Sequence, residues 1–118
     1  MVFCFKIGIR EEVNSVIKTL LLVPIRDNDG RPFSPEDWKE LEQKLLRNFG
    51  GFTDGGLVRG AWNGGDTVYR DTNRRFEVAL DSWTKAPQFL DLAHWTRTHF
   101  RQAALYIEVA GIPEILGE

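Results

Sequence analysis

A chain of 118 residues with 42% hydrophobic and 12% aromatic side chains can bury one core but not two, which predicts a single α+β domain over residues 1–118 and excludes a disordered chain. With 17 acidic and 15 basic residues mixed along it and a formal charge of −2, no global field draws the protein to nucleic acid or to an anionic membrane. Cys4 is the only cysteine, excluding an internal disulfide or a cysteine-built zinc cluster, and no apolar run approaches the ~20 residues of a membrane span, so a cytoplasmic protein without a targeting segment is expected.

Residues 2–9 alternate Phe3, Phe5, Ile7 and Ile9 against Val2, Cys4, Lys6 and Gly8, the period of a strand. Residues 16–25, VIKTLLLVPI, are apolar on both faces and read as a central strand that ends in the turn RDNDGRP. In SPEDWKELEQKLLRNF, Ser34 can cap, Pro35 suits the first helical position and Asp37 completes a variant capping box. Trp38, Leu41, Leu45 and Phe49 then recur at helical spacing up to Gly50.

A short strand is expected over Leu57–Trp62, followed by the hairpin signal of NGGD. RFEVALD (75–81) is a half-buried strand with Phe76, Val78 and Leu80 on one face; the preceding TVYRDTN belongs either to it or to a separate arm. Pro87 opens a second helix with an inward stripe of Phe89, Leu92, Ala93, Thr96, Phe100 and Ala103. ALYIEVAGIP, from residue 104, is the last strand, ending at Gly111 and Pro113. From residue 16 the order is β-α-β-β-α-β, the split βαβ or ferredoxin-like arrangement of an antiparallel sheet with two helices on one face, plus an extra N-terminal strand.

Seven of the eleven glycines fall in FGGFTDGGLVRGAWNGGD, residues 49–66. A phosphate-binding loop places its glycines after a strand and before a helix, whereas here they follow a helix and precede a strand, with no lysine-serine or lysine-threonine pair. They read as caps and turns. The capped helix, FGGFT, the strand at Gly60–Trp62 and the alternating strand beyond the hairpin resemble small uncharacterised bacterial families of ferredoxin-like fold over about residues 16–110. That resemblance implies a fold and, in such families, pairing as dimers through the sheets; it implies no catalytic residue.

Candidate sites are sparse. His94 and His99 sit about 140° apart on one helix and cannot share a metal; no metal or cofactor is expected. Arg70, Arg74, Arg75, Arg97 and Arg101, with Trp62, Tyr69 and Trp95 interleaved, could hold RNA, but the negative net charge disfavours it. The most informative pattern is the sheet face turned from the helices, where Glu77, Tyr106 and Glu108 fall together and Arg59 joins them if Val58 and Trp62 point inward. A face mixing leucine, tyrosine and charge suits a homodimer interface. The leading expectation is a non-enzymatic small-ligand-binding or interaction module, homodimeric through this face, with Arg59, Glu77, Tyr106 and Glu108 as ligand-binding residues. The alternative is a dimeric α+β-barrel enzyme acting on a small molecule in the inter-sheet pocket, with acids of raised pKa moving protons and His94 or His99 at its mouth.

Overall fold

The computed structural model describes residues 15–117, so the strand expected over 2–9 and Cys4 lie outside the described residues. The elements are β1 (Ile17–Pro24), α1 (Pro35–Phe49), β2 (Thr53–Asn63), β3 (Val68–Leu80), α2 (Ala86–His99), β4 (Ala104–Val109) and β5 (Ile112–Gly117). They form one five-stranded antiparallel sheet in the order β2-β3-β1-β4-β5, with two helices. No helix among the described residues is long and apolar enough to cross a membrane.

The α+β class stands, but the ferredoxin-like expectation is corrected at the sheet, whose order is β2-β3-β1-β4-β5 with an unexpected strand, β5, after β4. Gly111 and Pro113 read as terminators because both weaken a strand interior. They instead build a hairpin: Ala110 and Gly111 take φ of 54° and 80°, the left-handed pair that a two-residue hairpin turn requires. Pro113 then sits opposite Glu108 on the edge strand β5, where a missing N–H costs no ladder bond. β3 is also longer than RFEVALD, absorbing VYRDTN from Val68, and β2 begins at Thr53.

The core lies between the helices and one sheet face. β1 supplies Leu21 and Val23, β3 supplies Phe76, Val78 and Leu80, and β4 supplies Leu105 and Ile107; Leu41 and Leu45 of α1 and Phe89, Leu92 and Ala93 of α2 close over them. The alternation in β3 and β4 buries the residues expected from the sequence, because a period-2 pattern leaves only one face for a helical layer to cover. Helix α2 ends at His99, so Phe100 is its C-cap and still buried, while Ala103 falls outside it and is exposed.

Helix α1 starts as its sequence dictates. The Asp37 N–H donates to Ser34 Oγ at 3.2 Å, and the Ser34 N–H donates to Asp37 Oδ2 at 3.1 Å, so two of the orphan donors at the helix start are satisfied reciprocally. The other Asp37 oxygen accepts from His99 Nε2 at 2.9 Å, which ties the start of α1 to the end of α2. Burial alone would raise the Asp37 carboxyl, but the Ser34 N–H and hydroxyl and the His99 ring outweigh it and hold the group below the ordinary value.

A carboxylate depressed in the folded state contributes stability that is complete above its unfolded pKa and lost as pH falls through its folded pKa. Resistance to urea is therefore expected to hold above about pH 5 and to decline as pH drops past the ordinary carboxylate value of 3.8. Asp37→Asn should flatten that acid limb in urea titrations followed by circular dichroism. An equally steep limb in the variant would assign the loss to other groups.

Candidate functional site

The site begins with an irregularity in one strand. Thr53 and Asp54 pair with Glu77 and Phe76, but Leu57 pairs with Arg74, so Gly55 and Gly56 together oppose the single residue Arg75. This is a β-bulge, and Gly56 takes the left-handed φ of 80° that such a bulge needs. The Gly56 N–H donates to Asp54 Oδ1 at 2.9 Å, and Asp54 Oδ2 accepts from Arg74 Nη2 at 2.7 Å. Arg74 also reaches Glu42 of α1 at 3.3 Å, with its guanidinium over the rings of Trp38 and Phe76. The Gly56 N–H first, and then Arg74, hold the Asp54 carboxyl below its ordinary value against the opposing effect of burial.

Beyond the bulge, β2 and β3 run on as a two-stranded arm past Pro24, where β1 ends. There the chain is turned away by Asp27, whose Oδ1 accepts the N–H groups of Asp29 and Arg31, both at 2.9 Å. Two contiguous clefts flank the departure of β1 from the arm. The one on the open sheet face has a volume of about 700 Å³ and is lined by Val58, Trp62, Asp71, Asn73, Tyr106 and Ile115, among others.

Its chemistry is concentrated on the arm. Trp62 and Tyr69 are paired across the strands and stack with ring centroids 4.6 Å apart at 21°; both are exposed, at 58% and 46%. The stack depends on Gly64, because a Cβ there would collide with the Tyr69 ring. Opposite Asp71 stands Gly60, where a Cβ would lie 2.9 Å from Asp71 Oδ1. The missing side chain leaves the carboxylate room to lie across β2. Asp71 makes no ion pair with a described residue. An exposed aromatic stack beside an unpaired carboxylate, at the rim of a cleft, can hold a planar ring and a cation.

Of the four residues expected to bind a ligand, three share the open face. Leu20 pairs with both Glu77 and Glu108, and Leu22 with both Arg75 and Tyr106. The Tyr106 hydroxyl donates to Glu108 Oε2 at 2.7 Å, and Arg75 Nε donates to Glu77 Oε2 at 2.9 Å. Arg59 does not join them. It pairs with Thr72 and so points to the helix side of the sheet plane, although it lines the rims of both clefts. The bulge is the reason: its extra residue reverses the faces of everything beyond it in β2. Asp71 and Asn73 were missed as site residues and Trp62 was considered only for RNA; the paired glycines at 55–56 were the signal that could have placed them together.

Glu77 also departs from the raised-pKa acid that proton transfer would need. Burial pushes it up, but the hydrogen bonds from Arg75 and Lys18 outweigh that and hold it below its ordinary value. His94 and His99 line neither cleft; His99 is engaged with Asp37 and Glu40. No three His, Cys, Asp or Glu side chains converge as a metal site among the described residues. Four of the five arginines considered for RNA are drawn into internal contacts, with Arg74 on Glu42 and Asp54, Arg75 on Glu77, Arg97 on the Gln102 carbonyl and Arg101 facing Asp27.

The Tyr106 phenol is raised above its ordinary value of 10.0, chiefly by its hydrogen bond to Glu108, since ionising it would set two anions side by side. Tyr106 is one of only two tyrosines, so its ionisation can be followed by ultraviolet absorbance. Glu108→Gln is expected to move one tyrosine's midpoint down toward 10.0, and an unshifted titration would mean that the pair is not closed in solution.

No protein-family model matches this sequence, and a search of curated proteins finds no match. Two solved structures share the fold. A phage SAM lyase in complex with S-methyl-5'-thioadenosine superposes with a TM-score of 0.67 at 13% identity, over 93% of this chain and 95% of that one. A phage SAM lyase in the apo state gives 0.64 at 14% identity, over 94% and 97%. At this identity the likeness is one of fold. The expectation of a non-enzymatic binding or interaction module is corrected, since both solved structures that share the fold are SAM lyases.

Proposed function

We propose that this protein is an enzyme that binds a sulfonium nucleoside of the SAM type in the open-face cleft and releases a thioether nucleoside from it. The observation that carries the reading is the Trp62–Tyr69 stack beside the unpaired carboxylate of Asp71. The fold shared with the phage lyases supports it as well. A purine ring stacks on the exposed aromatic pair, the sulfonium lies near Asp71, and Tyr106, held by Glu108, forms the cleft floor.

The chemistry asks only for binding and positioning groups. Breaking the bond between the sulfonium sulfur and the methionine-derived carbon returns the bonding pair to sulfur, which leaves as a neutral thioether. The carbon fragment balances by closing onto its own carboxylate or by losing a proton. Because the sulfur loses its charge in the transition state, a carboxylate beside it favours the bound substrate over the transition state. Asp71 is therefore a binding group, and the acceleration comes from holding the carbon fragment in a reactive conformation.

Incubation with SAM should yield S-methyl-5'-thioadenosine, detected by liquid chromatography. Asp71→Asn should raise KM about tenfold or more with a smaller effect on kcat, and Trp62→Ala should do the same. No thioether nucleoside from folded protein at millimolar SAM would overturn the reading.

Association of two copies over the open face belongs to the same proposal. Leu22, Tyr106 and Ile115 form an aliphatic and aromatic row there, with Ile115 exposed at 68%. Light scattering across a dilution series should give a mass above that of one chain. A monomer that turns over SAM would remove the pairing while leaving the activity.

A further inference from the structure

The second cleft shares Gly60, Trp62 and Asp71 with the first but adds the basic residues Arg26 and Arg70. Arg59 pairs with Thr72, and Arg70 with Ala61. Both arginines therefore project from the same face, as diagonal neighbours on adjacent strands about 7 Å apart, opposite the face that carries Asp71. Neither forms an ion pair or hydrogen bond with a described residue. Adjacent like charges on a sheet are destabilising, so nothing in the folding of this arm rewards the arrangement, whereas two guanidiniums at that spacing can grip one multivalent anion.

The surroundings complete an anion site. Arg26 lines the same cleft, held in place by its Nη1 bond to the Gly30 carbonyl at 3.1 Å. Of the two acids that line it, Asp27 is committed elsewhere, with Oδ1 accepting two backbone N–H groups at 2.9 Å and Oδ2 facing Arg101 at 3.6 Å, and Asp71 projects from the opposite face of the arm. The backbone contributes too. The Ile25 N–H donates to the Thr72 carbonyl at 3.1 Å, after which β1 leaves the sheet. Arg70, two residues before Thr72, then turns its N–H to the same unpaired edge, toward the cleft. The cleft volume of about 670 Å³ suits a ligand of nucleotide size.

We infer that this cleft binds a small molecule bearing phosphate groups, gripped between Arg59 and Arg70 with Arg26 at the rim. The clefts share part of their lining, but the arginine grip does not depend on the proposed enzyme activity. Calorimetric titration of the full chain with tripolyphosphate, ADP, adenosine and a short single-stranded RNA tests it. Tripolyphosphate and ADP should bind, more weakly as salt rises, while adenosine should not. Arg59→Gln and Arg70→Gln, both exposed positions, should each weaken ADP binding by about tenfold. No binding of either phosphate compound at millimolar concentration would overturn the inference. So would binding that survives both glutamine variants, or binding of RNA without binding of ADP.

Discussion

Everything distinctive about this molecule depends on the extra residue accommodated at Gly55–Gly56. An antiparallel pair without it would set Leu57 opposite Asn73, and Arg59, Ala61 and Asn63 would then face the open side of the sheet. With it, Leu57 stands opposite Arg74, so Val58, Gly60 and Trp62 take that side instead. The bulge is fixed by more than backbone preference. Asp54 uses one carboxylate oxygen to hold Gly56 and the other to hold Arg74, and Arg74 is wedged over Trp38 and Phe76 and bonded to Glu42. The register of an exposed arm is thereby locked to a side chain that is only 17% exposed. Helix α1 has a part in this, since it supplies both Glu42 and Trp38.

Where the sequence carries strict periodicity, it foretells the structure closely. Helix α1 runs from Pro35 to Phe49 with the caps that Ser34, Asp37 and Gly50 announce, because capping is local chemistry between residues three or four apart. The buried rows of β3 and β4 are equally legible, because one covered face and one open face impose alternation. What failed did so at glycine and proline. Gly111 and Pro113 disrupt a strand in isolation but suit a hairpin turn and an edge, and an edge is a property of the whole sheet that no local window contains.

The candidate site was harder to read for a related reason. Glu77, Tyr106 and Glu108 were legible as one face because β1 pairs with β3 and with β4 without interruption. The arm residues were not, because their facing depends on a bulge whose position is settled by Asp54 binding a residue 20 positions away. The meaning of Gly60 and Gly64 is likewise tertiary. Each leaves space for a particular neighbour, Asp71 in one case and Tyr69 stacked on Trp62 in the other. Read along the chain, they are two more glycines in a glycine-rich stretch.

The pleat of the arm explains how two chemistries coexist so close together. Arg70 and Asp71 are adjacent in sequence yet project to opposite faces, so the carboxylate and the guanidinium do not neutralise each other and each face keeps its own sign. A two-stranded ribbon gains little from its own burial, and this one leaves Leu57, Trp62, Val68 and Tyr69 all about half exposed or more. Its order therefore comes from the anchored bulge, the cross-strand ladder and one aromatic stack. That combination holds the backbone in register while leaving the side chains of both faces uncommitted. It suits a surface on which ligands or a second copy complete contacts that the isolated chain leaves open.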